Sequence, residues 1–176
     1  AFRYLLLGTM GASFYLLGVG YLYVLTGSLN MFDVAARIVP LHDNPALWLS
    51  LVAMVAGLGL KMAIFPMHLW LPDAYTYASS TSTAIIAPLM TKVSAYVLIR
   101  ILYFVYGHEW ALAGGGGLGP VITTLAVLGI VVGSIMAIAQ KDAKRMLAYS
   151  SIAQVGYIAV GIGLARSEEH TSELQS

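Results

Sequence analysis

The sequence predicts an all-α, polytopic membrane protein segment with five transmembrane helices, one of them interrupted at Pro66. Three observations carry that expectation. Of the 176 residues, 59% are hydrophobic and only 10% charged, whereas soluble domains run at about 45–50% apolar and about 25% charged. The apolar residues fall in continuous runs of the length, roughly 20 residues, that a helix needs to cross a hydrocarbon core. A barrel strand would instead alternate apolar and polar residues over about 10 positions. The runs are separated by short connections that carry turn chemistry.

In chain order the expected spans are Phe2–Leu25, Ala46–Leu71, Thr83–Tyr106, Pro120–Gln140 and Met146–Ala165. The first connection, TGSLNMFDVAARIVPLHDNP, holds an amphipathic patch around Asp33 and Arg37 that predicts a short interfacial helix. LPDAYTYASSTS joins the second span to the third, with Ser80, Thr81 or Ser82 as the expected N-cap. GHEWALAGGGGLGP leads to the fourth span, where Pro120 suits a first helical turn. KDAKR, Lys141 to Arg145, joins the fourth to the fifth and is the only cationic cluster. Short loops rich in lysine and arginine face the cytoplasm. Arg3 and Lys141, Lys144 and Arg145 are then inside, and Arg37 is outside.

A net charge of +1 gives no basis for a nucleic-acid partner, which would need clustered positive charge. The absence of cysteine excludes a disulfide framework, a thiolate metal site and a cysteine nucleophile within these residues. His42, His68, His108 and His170 have no metal-site spacing. The GGGGLG run lacks the lysine and hydroxyl residue of a phosphate loop. No cofactor or metal is expected.

Lys61 is the residue that composition does not explain. It lies about 22 Å from Ala46 and about 15 Å from Leu71 along the span, farther than a lysine stem snorkels. Ionisable residues at such depth face a bundle interior or a wet cavity and mark functional sites. Pro66 removes the hydrogen bond to the Met62 carbonyl and disfavours helical geometry at Phe65. A break there would leave free carbonyls and a half-helix C-terminus, both favourable to a cation, and interrupted helices mark ion sites in transporters.

Lys92 repeats the pattern in the third span, with Pro88 four residues before it. Lys92, Tyr96 and Arg100 are spaced four apart and share a face; Arg100 is close enough to the outer end to snorkel. Desolvation makes the amine of a lysine exchange its proton more readily, whereas a guanidinium stays protonated. A pair of such lysines therefore suits a proton relay. His68 follows Pro66 by two residues and is either a proton shuttle or a structural hydrogen-bonding group. Asp73 lies near the cytoplasmic mouth. Ser150, Gln154 and Tyr157 form a polar stripe that is either helix-packing glue or the wall of a water chain.

The stretches KMAIFPMHLWLPDAYTYA, LMTKVSAYVLIR and AQKDAKRMLAYSSIAQVGY resemble the proton-conducting antiporter-like membrane subunits of multisubunit cation/proton (Mrp-type) antiporters and of respiratory complex I. The wording from Ala74 to Gly107 is most similar to the D subunit of the antiporters. The resemblance implies a subunit of about fourteen spans with inverted repeats of five helices, of which these five look like the sixth to tenth. Lys61 then matches the lysine beside the break of the seventh span and Lys92 the relay lysine of the eighth. The family's fifth-span glutamate and twelfth-span ionisable residue fall outside these residues. Two positions depart from the pattern. Ser79 stands where many members have proline, and Gln154 where several carry a protonatable histidine.

The function so implied is proton translocation through Lys61 and Lys92, with His68, Tyr96 and Gln154 in support, inside a multisubunit sodium/proton antiporter. The alternative is a proton-pumping membrane subunit of NADH:quinone oxidoreductase, any redox chemistry belonging to other subunits. The expected partners are other membrane subunits, protons, monovalent cations and the lipid bilayer, and the expected location is a bacterial plasma membrane. Residues 1–165 form the transmembrane segment. The abruptly polar tail RSEEHTSELQS, residues 166–176, reads as translated sequencing adapter rather than native protein.

Overall fold

The computed structural model describes residues 2–113 and 117–164. The expected adapter tail, His170, the last residue of the expected fifth span and part of the glycine run lie outside them. The described residues form helices and turns, with no strand among them. Five helices are long and apolar enough to cross a membrane, as the composition requires.

Helix α1 (Phe2–Thr26) is followed by α2 (Met31–Ile38), the short amphipathic helix around Asp33 and Arg37, whose N-cap is the Asn30 side chain. Helix α3 (Pro45–Met62) is capped by Asn44, and its first position is a proline, which has no N–H to leave unpaired. Helix α4 (Trp70–Tyr77) is only two turns long. Helix α5 (Ser80–Arg100) continues into a π-helical turn over Ile101–Val105. Helix α6 (Leu118–Ile138) holds Pro120 in its first turn, and α7 (Ala143–Leu164) closes the described chain.

Two expectations need correction. The N-cap of α5 is Ser79, whose side chain accepts from the Ser82 N–H, rather than any of the three residues after it. The expected second span, Ala46–Leu71, is two helices separated by the non-helical stretch Ala63–Leu69. The interruption begins two residues before Phe65 because Ala63 adopts a left-handed conformation (φ 60°) and ends the helix. The Ile64 N–H then reaches back to the Gly59 carbonyl at 3.0 Å, the six-residue closure of a Schellman turn. Pro88, by contrast, is accommodated inside α5 without a break.

Helix α1 packs along α3, and α6 along α7; α5 lies against α3, and α4 against α7. Lipid supplies no hydrophobic drive for these pairings, so close backbone approach has to. Small residues sit where the pairs touch. A Cβ at Gly57 would fall 2.6 Å from both the Gly11 carbonyl oxygen and the Tyr15 nitrogen, and one at Gly156 would fall 2.9 Å from the Ala126 oxygen.

The main apolar cluster joins α1, α2, α3, α5 and the outer halves of α6 and α7; a second surrounds the interruption and includes Ala63, Trp70, Leu71, Tyr75, Ala148 and Ile152. The Tyr106 and Ser50 hydroxyls meet at 2.6 Å within the first cluster, so both polar tips are satisfied where water is scarce.

The two ends differ in the way the charge count predicts. Arg145 donates to the Asp73 carboxylate at 2.8 Å, Arg3 lies 3.9 Å from it, and Lys144 donates to the Ala78 carbonyl. At the other end Arg37 donates to the Thr26 carbonyl at 2.8 Å, where a cation complements the last turn of α1. His42 and Tyr106 stack on Trp110 there, and Tyr103 on His108.

Close packing at Gly57 yields a test. Gly57→Ala forces α1 and α3 apart at a cost of about 1–3 kcal/mol and lowers the thermal midpoint of the detergent-purified full-length subunit. Gly8→Ala meets open space and leaves that midpoint unchanged or slightly raised.

Candidate functional site

The interruption positions the site. Lys61 is the penultimate residue of α3, so its ammonium belongs to the helix end where unpaired carbonyls concentrate negative partial charge. The side chain is half-buried, and its stem lies against α1 at Gly11. Gly11 is about 14 Å along α1 from Phe2 and about 22 Å from Thr26. Lys61 thus stands at a level within the length of α1.

The helix end is held from the far side of the break. The Trp70 indole N–H donates to the Leu60 carbonyl at 3.0 Å, and its ring packs on Tyr4 with centroids 5.5 Å apart. Phe65 rests on α6 at Gly129 and stacks on His68 at 5.4 Å. His68 is buried, and its Nδ1 has no hydrogen-bonding partner among the described residues. Lys61 and His68 therefore flank one interruption.

Lys92 lies midway along the Ser80–Val105 span and is half-buried. Its neighbour Thr91 is fully buried, with a hydroxyl unpaired among the described residues, and Ser94 donates back to the Met90 carbonyl. Because α5 packs on α3, the two lysines stand on touching helices. Tyr96 and Gln154 do not join them. Tyr96 is 59% exposed and accepts a hydrogen bond from Arg100; Gln154 and Tyr157 lie on the outward face of α7. Among the described residues the Ser150–Gln154–Tyr157 stripe neither glues α7 to another helix nor lines an internal channel.

Two features escape sequence reasoning. One is the Trp70 hydrogen bond, for which a tryptophan four residues past a proline gives no signal. The other is the Asp73–Arg145–Arg3 cluster, which joins α4, α7 and α1; the carboxylate stands out in the sequence, but not its partners.

An interrupted span with a lysine at its broken end, in a bundle of five helices long and apolar enough to cross a membrane, places the chain in the class of multi-pass membrane proteins. The model of the family described as NADH:quinone oxidoreductase/Mrp antiporter, transmembrane, matches residues 1–173, and the chain belongs to that family.

The chain is 59% identical over 170 residues to NADH-quinone oxidoreductase subunit N of Desulforudis audaxviator, covering 93% of this chain and 32% of that protein. It is 34% identical over 163 residues to antiporter subunit mnhD2 of Staphylococcus aureus, again covering 93% and 32%. The chain thus spans about a third of the length of these relatives.

Among solved structures, one chain of an archaeal membrane-bound sulfane sulfur reductase, a respiratory membrane complex, superposes with TM-score 0.79 at 35% identity, over 92% of this chain and 32% of that one. A chain of respiratory complex I from Thermus thermophilus gives 0.66 at 33% identity, over 92% and 33%. A chain of the Mrp complex from a Dietzia species gives 0.79 at 24% identity, over 92% and 28%, a likeness of fold.

Trp70 supplies a test of how the broken end is held. Trp70→Phe keeps the ring beside Tyr4 but removes the donor to Leu60, which costs about 1 kcal/mol. The thermal midpoint of the full-length subunit falls accordingly, whereas Tyr77→Phe, at an exposed position, moves it less.

Proposed function

We propose that the protein translocates protons as one membrane subunit of a multisubunit respiratory complex of the NADH-quinone oxidoreductase kind, in a bacterial plasma membrane, with Lys61 and Lys92 as the relay. The observation that supports the proposal is Lys61 at the broken end of α3, with its stem against Gly11 of α1. Carbonyl partial charges at that end attract an ammonium group. A lysine amine can hand its proton on, whereas a guanidinium stays protonated.

Lys92, on the helix that packs against α3, is the acceptor. The buried, unpaired polar atoms of His68, Tyr75 and Thr91 support a hydrated path, because buried polar groups without protein partners are as a rule satisfied by water. His68 serves that path beside the break. Tyr96 and Gln154 contribute only if helices outside these residues cover them. Residues 166–176 take no part.

The respiratory assignment rests on the 59% identity to a subunit N, against 34% to the antiporter subunit. The second reading, a subunit of a sodium/proton antiporter, is favoured by the wording of the Ala74–Gly107 stretch. Under either reading other membrane subunits are the partners.

Lys61→Ala in the full-length protein abolishes coupled proton movement across membrane vesicles while the assembled complex keeps its normal amount. Wild-type transport by that variant removes Lys61 from the mechanism. Deletion of the gene distinguishes the two readings: loss of NADH-driven acidification supports the respiratory one, and loss of sodium-dependent dissipation of a pH gradient supports the antiporter.

A further inference from the structure

Helix α5 carries a cation that the proton path does not use. Arg100 is exposed and lies about 7 Å along the helix from Val105, the outer end of the span. An arginine so placed usually extends toward the headgroups. This one turns the other way. Its Nη1 donates to the Tyr96 hydroxyl at 3.1 Å, one turn deeper in the membrane. The Phe104 ring, one turn nearer the outer surface, lies over the guanidinium with its centroid 5.5 Å from Cζ. The direction follows from the helix: side chains lean toward the N-terminus, which in α5 is the inner end. The headgroup side is thus covered by an aromatic ring, and the guanidinium faces sideways off the bundle.

That sideways face differs from the neighbouring one. The outward residues of α6 include Val127, Val131, Ile135 and Ile138, all exposed and apolar, and form a surface that suits lipid. On α5 the outward row runs Tyr96, Arg100, Phe104, with Tyr96 and Phe104 both exposed. A guanidinium has five N–H donors. The Tyr96 hydroxyl takes one, and among the described residues no carboxylate lies within ion-pairing distance of Arg100. Hydrocarbon offers nothing to the rest.

We propose that the Tyr96–Arg100–Phe104 face of α5 is an interface with another membrane helix of the same polypeptide, and that this helix places an aspartate or glutamate against the Arg100 guanidinium. Charge complementarity specifies the acid, since a planar fork of donors is matched by a carboxylate. The length of the relatives, of which these residues cover about a third, supplies the chain that carries it. The acid lies about 12 Å along α5 from Lys92, so it is separate from any group that modulates the relay lysines. The interface stands whether or not the protein carries protons.

The test uses the full-length subunit in its assembled complex in native membranes, with Phe104 replaced by the photoreactive aromatic benzoylphenylalanine. Irradiation is expected to link this position to a membrane span of the same polypeptide, with an aspartate or glutamate within one turn of the attachment point. A crosslink to phospholipid, to another subunit, or to a span lacking an acid there overturns the proposal. Should the Phe104 variant not assemble, Val93, exposed on the same side of α5 and about 10 Å along the helix from Arg100, takes the photoreactive group. The acid is then expected about two turns from the attachment point, toward the Arg100 level, and the same three outcomes overturn the proposal.

A second measurement tests the pairing. Arg100→Gln lowers the amount of assembled complex at least ten-fold by stranding the acid, and neutralising the mapped acid in the same protein restores most of it. Normal assembly of Arg100→Gln alone, or no recovery in the double variant, contradicts the ion pair.

Discussion

A helix that stops inside a bilayer leaves carbonyl oxygens that hydrocarbon cannot solvate. The segment is organised around that constraint. Ala63 turns left-handed, the Ile64 N–H closes back on Gly59, and the Trp70 indole takes the Leu60 carbonyl. These bonds satisfy part of the broken end and leave its negative polarity available to Lys61, the one cation in that turn. The same break that would destabilise an ordinary span thereby gives an ammonium group a reason to reside there.

The rest of the bundle keeps that end in place. Gly57 and Gly11 let α1 approach α3 closely enough for the Lys61 stem to lie against α1. Gly129 receives Phe65, so one side of the interruption rests on α6. Asp73, just past the break, ties α4 to Arg145 of α7 and Arg3 of α1 at one end of the bundle. Its carboxylate is about a third exposed, so the pairing fixes position more than it adds stability. The outer end is closed differently, by stacked aromatic rings and imidazoles around Trp110, which suit an interface where one edge of each ring is wet.

Much of this was legible in the sequence. Continuous apolar runs gave the five spans, Pro66 gave the interruption, and the lysine–arginine count sorted Arg3, Lys144 and Arg145 to the same end as Asp73. The extent of the break was not legible, because a left-handed alanine has no sequence signal; glycine is the usual choice. Nor was the helix cap, since Ser79 and the residues after it are chemically alike and backbone geometry selects among them. The outward placement of Tyr96 and Gln154 was equally hidden. Spacing says which residues share a face, and only packing says where that face points. The Ala74–Gly107 stretch resembles an antiporter D subunit, whereas identity over the whole segment is higher to a subunit N than to the antiporter subunit.

The central claim is that both relay lysines reside at membrane depth within protein. A cryo-electron microscopy structure of the full-length subunit in lipid nanodiscs tests this most directly, by measuring how far each Nζ lies from the phosphate plane and what surrounds it. The account predicts that both amines lie more than about 10 Å inside that plane, enclosed by protein and ordered water. Either amine among the headgroups, or directed into acyl chains without a polar neighbour, would contradict it.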